Sequence, residues 1–286
     1  QRFADTRSQE VLDGDVVALG GTNGRGDRKY SAFGTEFEVP IFENFIVNLA
    51  GRYDSYDDDS DVGGAFSPRI AMEYRPVTRL LLRGSAGKSF RAPDLQRLFG
   101  GETQFFTDLI DTPQCLADGG SGRGDASVPT CVQQAQSIAV ATGGNVDLTE
   151  EKGENFNVGV VFEPWNGVTL STDVFYITLE QIVNTPSVQF ILDANAADGS
   201  FADAIVRDPQ AVGLQNPGGI LEISQSARNL SFQRMSGLDV RGEFRIPTDT
   251  LGNFSARIAG TYLADLKIRE QPGEPVINVL SSGELG

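Results

Sequence analysis

The chain has 286 residues, a formal net charge of −16, 33 glycines, two cysteines and no histidine, and 19 of its 23 basic residues are arginine. The lack of histidine removes the commonest general base and metal ligand, two cysteines cannot by themselves build a structural zinc site, and the acidic balance argues against a nucleic-acid partner. No apolar run reaches the ~18–20 residues of a membrane helix, and the polar start from Gln1 to Glu10 is no signal peptide, so the chain reads as a mature piece or an internal one; a transmembrane barrel stays open, because its strands carry almost no hydropathy signal.

The first periodic element alternates Phe33, Thr35, Phe37 and Val39 with Ala32, Gly34, Glu36 and Glu38. After a turn at Pro40 to Asn44 the period resumes in Phe45, Val47, Leu49, Gly51 and Tyr53. Ile70, Met72 and Tyr74 alternate with Arg69, Ala71, Glu73 and Arg75, and Leu80, Leu82, Gly84 and Ala86 follow with Arg83 and Ser85 on the other side. Such period-two runs predict half-buried strands paired as hairpins.

The fourth run leads into GSAGKS, which looks like a phosphate-binding loop. That motif needs a glycine five positions before Gly87, where Leu82 stands, and a helix after Lys88. Pro93 disfavours helical geometry just before it. The stretch is read as the end of a strand instead.

Two more hairpins follow. Phe156, Val158, Val160 and Phe162 turn through Pro164-Trp165-Asn166-Gly167 into Val168, Leu170, Thr172, Val174 and Tyr176. Leu238, Val240, Gly242 and Phe244 lead through Pro247 to Asn253 into Phe254, Ala256, Ile258, Gly260 and Tyr262. Eight strands are visible, with a weaker ninth expected within Ile220 to Ser231.

Short, proline-bearing turns alternate with connections of about 10, 60 and 50 residues, the rhythm of an outer-membrane barrel. Phe42, Phe45, Tyr74, Phe162, Trp165, Phe244 and Phe254 sit near the short turns. Tyr30, Phe33, Tyr53, Phe90, Phe156, Tyr176 and Tyr262 sit near the long loops. Two aromatic bands match the two interfaces of a bilayer. The competing reading is a soluble or surface-attached β-sandwich that binds carbohydrate or protein; its connections are normally short.

The run from Asn48 to Gly100 resembles the barrel of TonB-dependent outer-membrane receptors. The matching residues are Arg52-Tyr53-Asp54, Pro68-Arg69, Tyr74-Arg75-Pro76 and Gly87-Lys88-Ser89-Phe90-Arg91-Ala92-Pro93. Glu154 to Gly159, Ser236 to Asp239 and Gly260 to Leu263 fit later strands of that family more loosely, with Asn157 in place of the usual acid. The resemblance implies an antiparallel transmembrane β-barrel of about 22 strands around a plug, sited in the outer membrane of a Gram-negative bacterium. It implies uptake of a siderophore–iron complex, cobalamin, a saccharide or a peptide, driven by the TonB complex, with outer-membrane lipid as a further partner, no cofactor and no catalysis. Residues 1–286 are then expected to be an internal fragment of about eight or nine strands. Plug, TonB box and terminal aromatic strand are missing from it, and residues 91–152 form its longest extracellular loop.

Arg69, Arg83, Arg241, Arg245 and Arg257 fall on the polar face. They either contact plug or ligand or pair structurally with Glu73, Asp239 and Glu243. Asp54, Asp57, Asp58, Asp59 and Asp61 crowd into one loop. Carboxylates so close can ligate calcium, but the EF-hand spacing is missing and a solvated acidic loop is the simpler reading. Cys115 and Cys131 flank a Gly/Ser/Asp-rich stretch of the longest loop. On an oxidising cell surface they are expected to form a disulfide, whereas two reduced thiols would belong to a cytosolic protein. Phe90, Arg91, Ala92 and Pro93 form the signature that ends a strand and aims the loop after it.

Overall fold

A computed structural model of the chain describes residues 1–4, 24–133, 135–208, 219–248, 250 and 252–282. Most of the stretch from Gln1 to Glu10, and residues 249 and 251 of the last turn, lie outside this set. The elements in chain order are β1 (Arg2–Ala4), β2 (Arg25–Asp27), β3 (Lys29–Phe42), β4 (Phe45–Asp57), β5 (Gly64–Val77) and β6 (Leu80–Arg91). Then come α1 (Leu95–Phe99), β7 (Thr103–Leu109), α2 (Thr112–Ala117), β8 (Ala135–Thr142), β9 (Glu151–Phe162) and β10 (Val168–Asn184). The chain continues through α3 (Val188–Asp198), β11 (Ile205–Arg207), β12 (Ile220–Ser224), β13 (Arg228–Thr248), β14 (Gly252–Arg269), β15 (Ile277–Asn278) and α4 (Val279–Ser282).

All eight long strands join one sheet in the order β15-β14-β13-β10-β9-β6-β5-β4-β3. Neighbours are antiparallel throughout. Short turns lie at one edge and long connections at the other, and the sheet does not close on itself within this chain. It is part of an antiparallel transmembrane β-barrel. A sandwich would need a second sheet over the apolar face, but Phe37, Ile70, Val158, Val174, Val240 and Ile258, on six of the eight long strands, are all exposed. In a bilayer such a face meets lipid, which explains why these residues stay apolar without a protein neighbour.

The expected ninth strand within Ile220 to Ser231 is in fact two pieces. β12 leaves the main sheet for a smaller one, and residues from Arg228 onward begin β13. The ninth strand of the main sheet is the two-residue β15. The first long connection is also shorter than expected. Residues 58–63 alone separate β4 from β5, because both strands run on past the end of the apolar pattern.

The dry core is not in the barrel. The connection between β6 and β9 and the one between β10 and β13 fold together into a cap at the loop end. Its four-stranded sheet has the order β11-β12-β8-β7. β8 from one connection and β12 from the other pair in parallel, Ile223 beside Val140. Ile191 and Leu192 of α3 pack on Leu109, Ile138, Ala204, Ile220 and Ile223 to form the largest buried cluster. α3 starts where Ser187 accepts a hydrogen bond from the Phe190 N–H and ends at Gly199, whose φ of 78° favours glycine. β10 and β13, at 17 and 21 residues, exceed the ~9–11 residues that cross a bilayer. Their surplus length carries the cap clear of the membrane.

Candidate ligand-binding site

The loop end of β3 to β6 carries an open pocket of about 560 Å³ lined by Arg28, Tyr30, Arg52, Tyr56, Ser67 and Arg91 among others. Its floor is set by alternation. Tyr30 pairs with Tyr56 and Ala32 with Asp54 in the register of β3 and β4, so Tyr30, Asp54 and Tyr56 share the polar face. Asp54 is 2 % exposed. It accepts from the Tyr30 hydroxyl at 2.5 Å and from Arg52 Nε and Nη2 at 3.0 and 2.9 Å. Tyr30, expected in an interfacial band, therefore turns into the pocket. The half-buried Phe90 likewise packs edge-on against Tyr56, with ring centroids 6.1 Å apart.

Arg28 is the anchor of this mouth. It is 5 % exposed, its Nε pairs with Asp58, and its Nη1 donates to the Pro93 carbonyl at 2.9 Å. Its guanidinium lies 4.9 Å from the Tyr56 ring centre. Burial pushes the Asp58 carboxyl up, but hydrogen bonds from Ser60 and Arg28 outweigh it and hold the group below the usual carboxylate range. The aspartate run is thus divided rather than pooled. Asp54 serves Arg52, Asp57 lies 3.6 Å from Lys29, Asp58 serves Arg28, and Asp59 and Asp61 are exposed. Among the described residues no group of three or more His, Cys, Asp or Glu side chains is placed to hold a metal.

The signature residues Arg91 to Pro93 tie strands together here. Arg91 Nη2 donates to Glu151 Oε1 at 2.7 Å and Nε lies 2.6 Å from Oε2, joining the end of β6 to the start of β9. The same Glu151 accepts from the Val183 N–H of β10 at 2.9 Å. Pro93 has no N–H to give, and its carbonyl takes Arg28.

The five arginines singled out in the sequence lie on the face opposite the apolar one but on four strands, and no contact joins them into one site. Arg83 Nε and Nη2 donate to Asp173 Oδ1 and Oδ2 at 2.9 and 2.7 Å, across an intervening strand. That reach exists because Gly159 stands between them in register. Arg257 pairs with Glu243 at 3.1 Å, its direct neighbour across β13 and β14. Arg69, Arg241 and Arg245 have no ion-pair partner among the described residues. Cys115 and Cys131 are bonded at 2.07 Å inside the cap. The Arg28 anchor was missed because its partners lie 30 and 65 residues away; a lone arginine before a strand carries no local signal of that.

A second, polar cleft of about 440 Å³ opens where the two connections meet, lined by Asn145, Asp147, Asp203, Ser226, Arg228 and Asn229 among others.

Long strands with an apolar outer face, short turns at one end and a folded cap at the other define an outer-membrane type of barrel. The family model for the TonB dependent receptor-like β-barrel matches residues 2–278, and the chain belongs to that family. Its members are outer-membrane receptors and transporters of Gram-negative bacteria rather than enzymes. Among solved structures, the siderophore receptor PirA from Acinetobacter baumannii aligns with a TM-score of 0.58 at 16 % identity, over 92 % of this chain and 32 % of its own. A mutant of the ferric enterobactin receptor PfeA from Pseudomonas aeruginosa gives 0.53 at 15 %, over 83 % of this chain and 27 % of its own. The RagAB peptide transporter gives 0.53 at 14 %, over 86 % and 23 %. The chain therefore spans about a quarter to a third of the structures it resembles. No curated protein matches its sequence.

Proposed function

We propose that the chain is an internal section of the barrel of an outer-membrane receptor that takes up a scarce ligand. The energy comes from the TonB complex, acting through a plug domain beyond this chain. The family match over residues 2–278 carries this reading, and the capped, polar mouth at the loop end supports it. Arg69, Arg241 and Arg245, which lack carboxylate partners among the described residues, are the stronger candidates for contact with plug or ligand. Arg83 and Arg257 are held in structural pairs.

A ferric siderophore complex is the first ligand class to test, since PirA and PfeA are described as siderophore and ferric enterobactin receptors. A peptide is the second, after RagAB. The test is uptake of labelled iron chelates, cobalamin, oligosaccharides and peptides by cells with and without the gene, each repeated in a strain lacking TonB. Uptake of one class should fall when either is removed. A protein that stays soluble without detergent, or uptake indifferent to TonB, ends the reading.

A further inference from the structure

Two cations stand on the lipid side of the sheet, just above its aromatic band. Thr178 of β10 faces Arg234 of β13, two residues beyond the pair Tyr176 and Ser236. Arg269 of β14 faces Phe232. Directly paired residues share a face, and Tyr176 belongs to the apolar face with Val174 and Phe156. Arg234 and Arg269 are therefore on the outside of the barrel. Two residues of strand rise place Arg234 about 7 Å beyond Tyr176 toward the loop end. Interfacial tyrosines mark the headgroup boundary, so the guanidinium stands at headgroup depth.

The two side chains are held without a carboxylate. The Arg234 guanidinium lies 5.4 Å from the Phe232 ring centre and 5.5 Å from that of Tyr176, and Arg269 lies 5.9 Å from Phe232. One phenyl ring thus serves both. Neither arginine has an ion-pair partner among the described residues, and the Nε of each is shielded from water with no acceptor. Of the acids on this face, Asp265 is engaged by Lys267 at 3.6 Å and by Asn278 at 3.0 Å, Glu154 is engaged by Lys88 at 2.7 Å, and Glu180, two residues beyond Thr178, forms no ion pair with either arginine among the described residues. In a chain of net charge −16, two uncompensated arginines side by side on the membrane face call for an external anion. Stacking leaves the edges of a guanidinium free, and those edges match phosphate oxygens in pairs.

We propose that Arg234 and Arg269, ordered by Phe232 and Tyr176, bind the phosphate of an anionic lipid headgroup in the outer leaflet. The site rests on the membrane-barrel reading and adds a specific lipid contact to it. Lys267, directly opposite Arg234 and two residues before Arg269 on the same face, adds a third, partly compensated charge.

The test uses the receptor as its gene encodes it, purified in detergent and selected for the folded form by its heat-modifiable gel migration. That selection also separates failure of the site from failure of the barrel. Native mass spectrometry then follows binding of phosphatidic acid, the matching diacylglycerol, and inorganic phosphate. The parent should bind phosphatidic acid at least tenfold more tightly than diacylglycerol. Arg234→Gln with Arg269→Gln should remove that tenfold preference, each single change should lower it about threefold, and Arg75→Gln at the turn end should leave it intact. A double variant that keeps the preference overturns the site. So does inorganic phosphate displacing the lipid at equal concentration, which would make it a free-anion site.

Discussion

Replacing Gly159 by alanine separates two effects of opposite sign. In a strand interior alanine is favoured over glycine by roughly 0.5–1 kcal/mol, because glycine loses more backbone freedom on folding. Propensity alone thus predicts that Gly159→Ala stabilises. The structure predicts the reverse. A Cβ at position 159 would lie 2.0 Å from Asp173 Oδ1, 2.8 Å from its Cγ and 3.1 Å from Arg83 Nε. The carboxylate must swing away, and both hydrogen bonds to Arg83 go with it. Arg83 is 43 % and Asp173 15 % exposed at the side chain, so solvent screens part of the pair. Hydrogen bonds to charged groups are worth about 1.5–3 kcal/mol when shielded, and exposed pairs about 0–1 kcal/mol. A loss of about 1.5–2 kcal/mol, set against the propensity gain, leaves Gly159→Ala about 1 kcal/mol less stable. Denaturant titration of the folded barrel in micelles, followed by circular dichroism and gel migration, reads the difference. In an Asp173→Ala background the same change should become stabilising by about 0.5 kcal/mol. A variant at least as stable as the parent refutes the clash, and a cost that persists without Asp173 refutes its cause.

Serine at Cys115 and Cys131 should cost the cap about 3 kcal/mol, as expected for closing a loop of 16 residues; limited proteolysis should then cut between 116 and 130 while the long strands stay resistant. Ile223→Ala, at a site fully buried where β12 meets β8, should cost about 2–5 kcal/mol. Hydrogen exchange should rise together in both long connections, and a rise confined to one would mean that they do not fold as a unit. Because the Asp58 carboxyl is held below the usual range, its pairing with Arg28 is fully present above the unfolded pKa of about 3.9. It is lost as pH falls through the lower folded value. Exchange protection of the Ser60 N–H, which donates to Asp58 at 2.9 Å, should follow that loss and stay flat from pH 5 to 8.

The eight long strands were legible because each writes its two faces locally. Phe37, Leu49, Ile70 and Leu82 recur at period two beside Glu38, Asn48, Arg69 and Arg83, and no distant residue is needed to see it. The polarity of turns and loops was legible for the same reason. The region from Ile220 to Ser231 misled because its period continues across two sheets; Ile223 pairs with Val140, more than 80 residues earlier, and nothing nearby records that. The aspartate run misled in a related way. Its composition suggests a solvated loop, yet Asp54 and Asp58 are carried inside by Arg52 and Arg28.

What the sequence determined by itself is the barrel: the eight long strands, their facing, the apolar lipid face, and the family, all of which follow from short-range alternation and contiguous motifs. Tertiary structure alone decided where the charges go. Gly159 became a window for Arg83 and Asp173, Arg28 an anchor under Pro93, and Arg234 and Arg269 a pair sharing Phe232. Each joins residues on different strands, so its partners are set by register and burial. Those depend on how the whole sheet and cap pack, which no local pattern encodes.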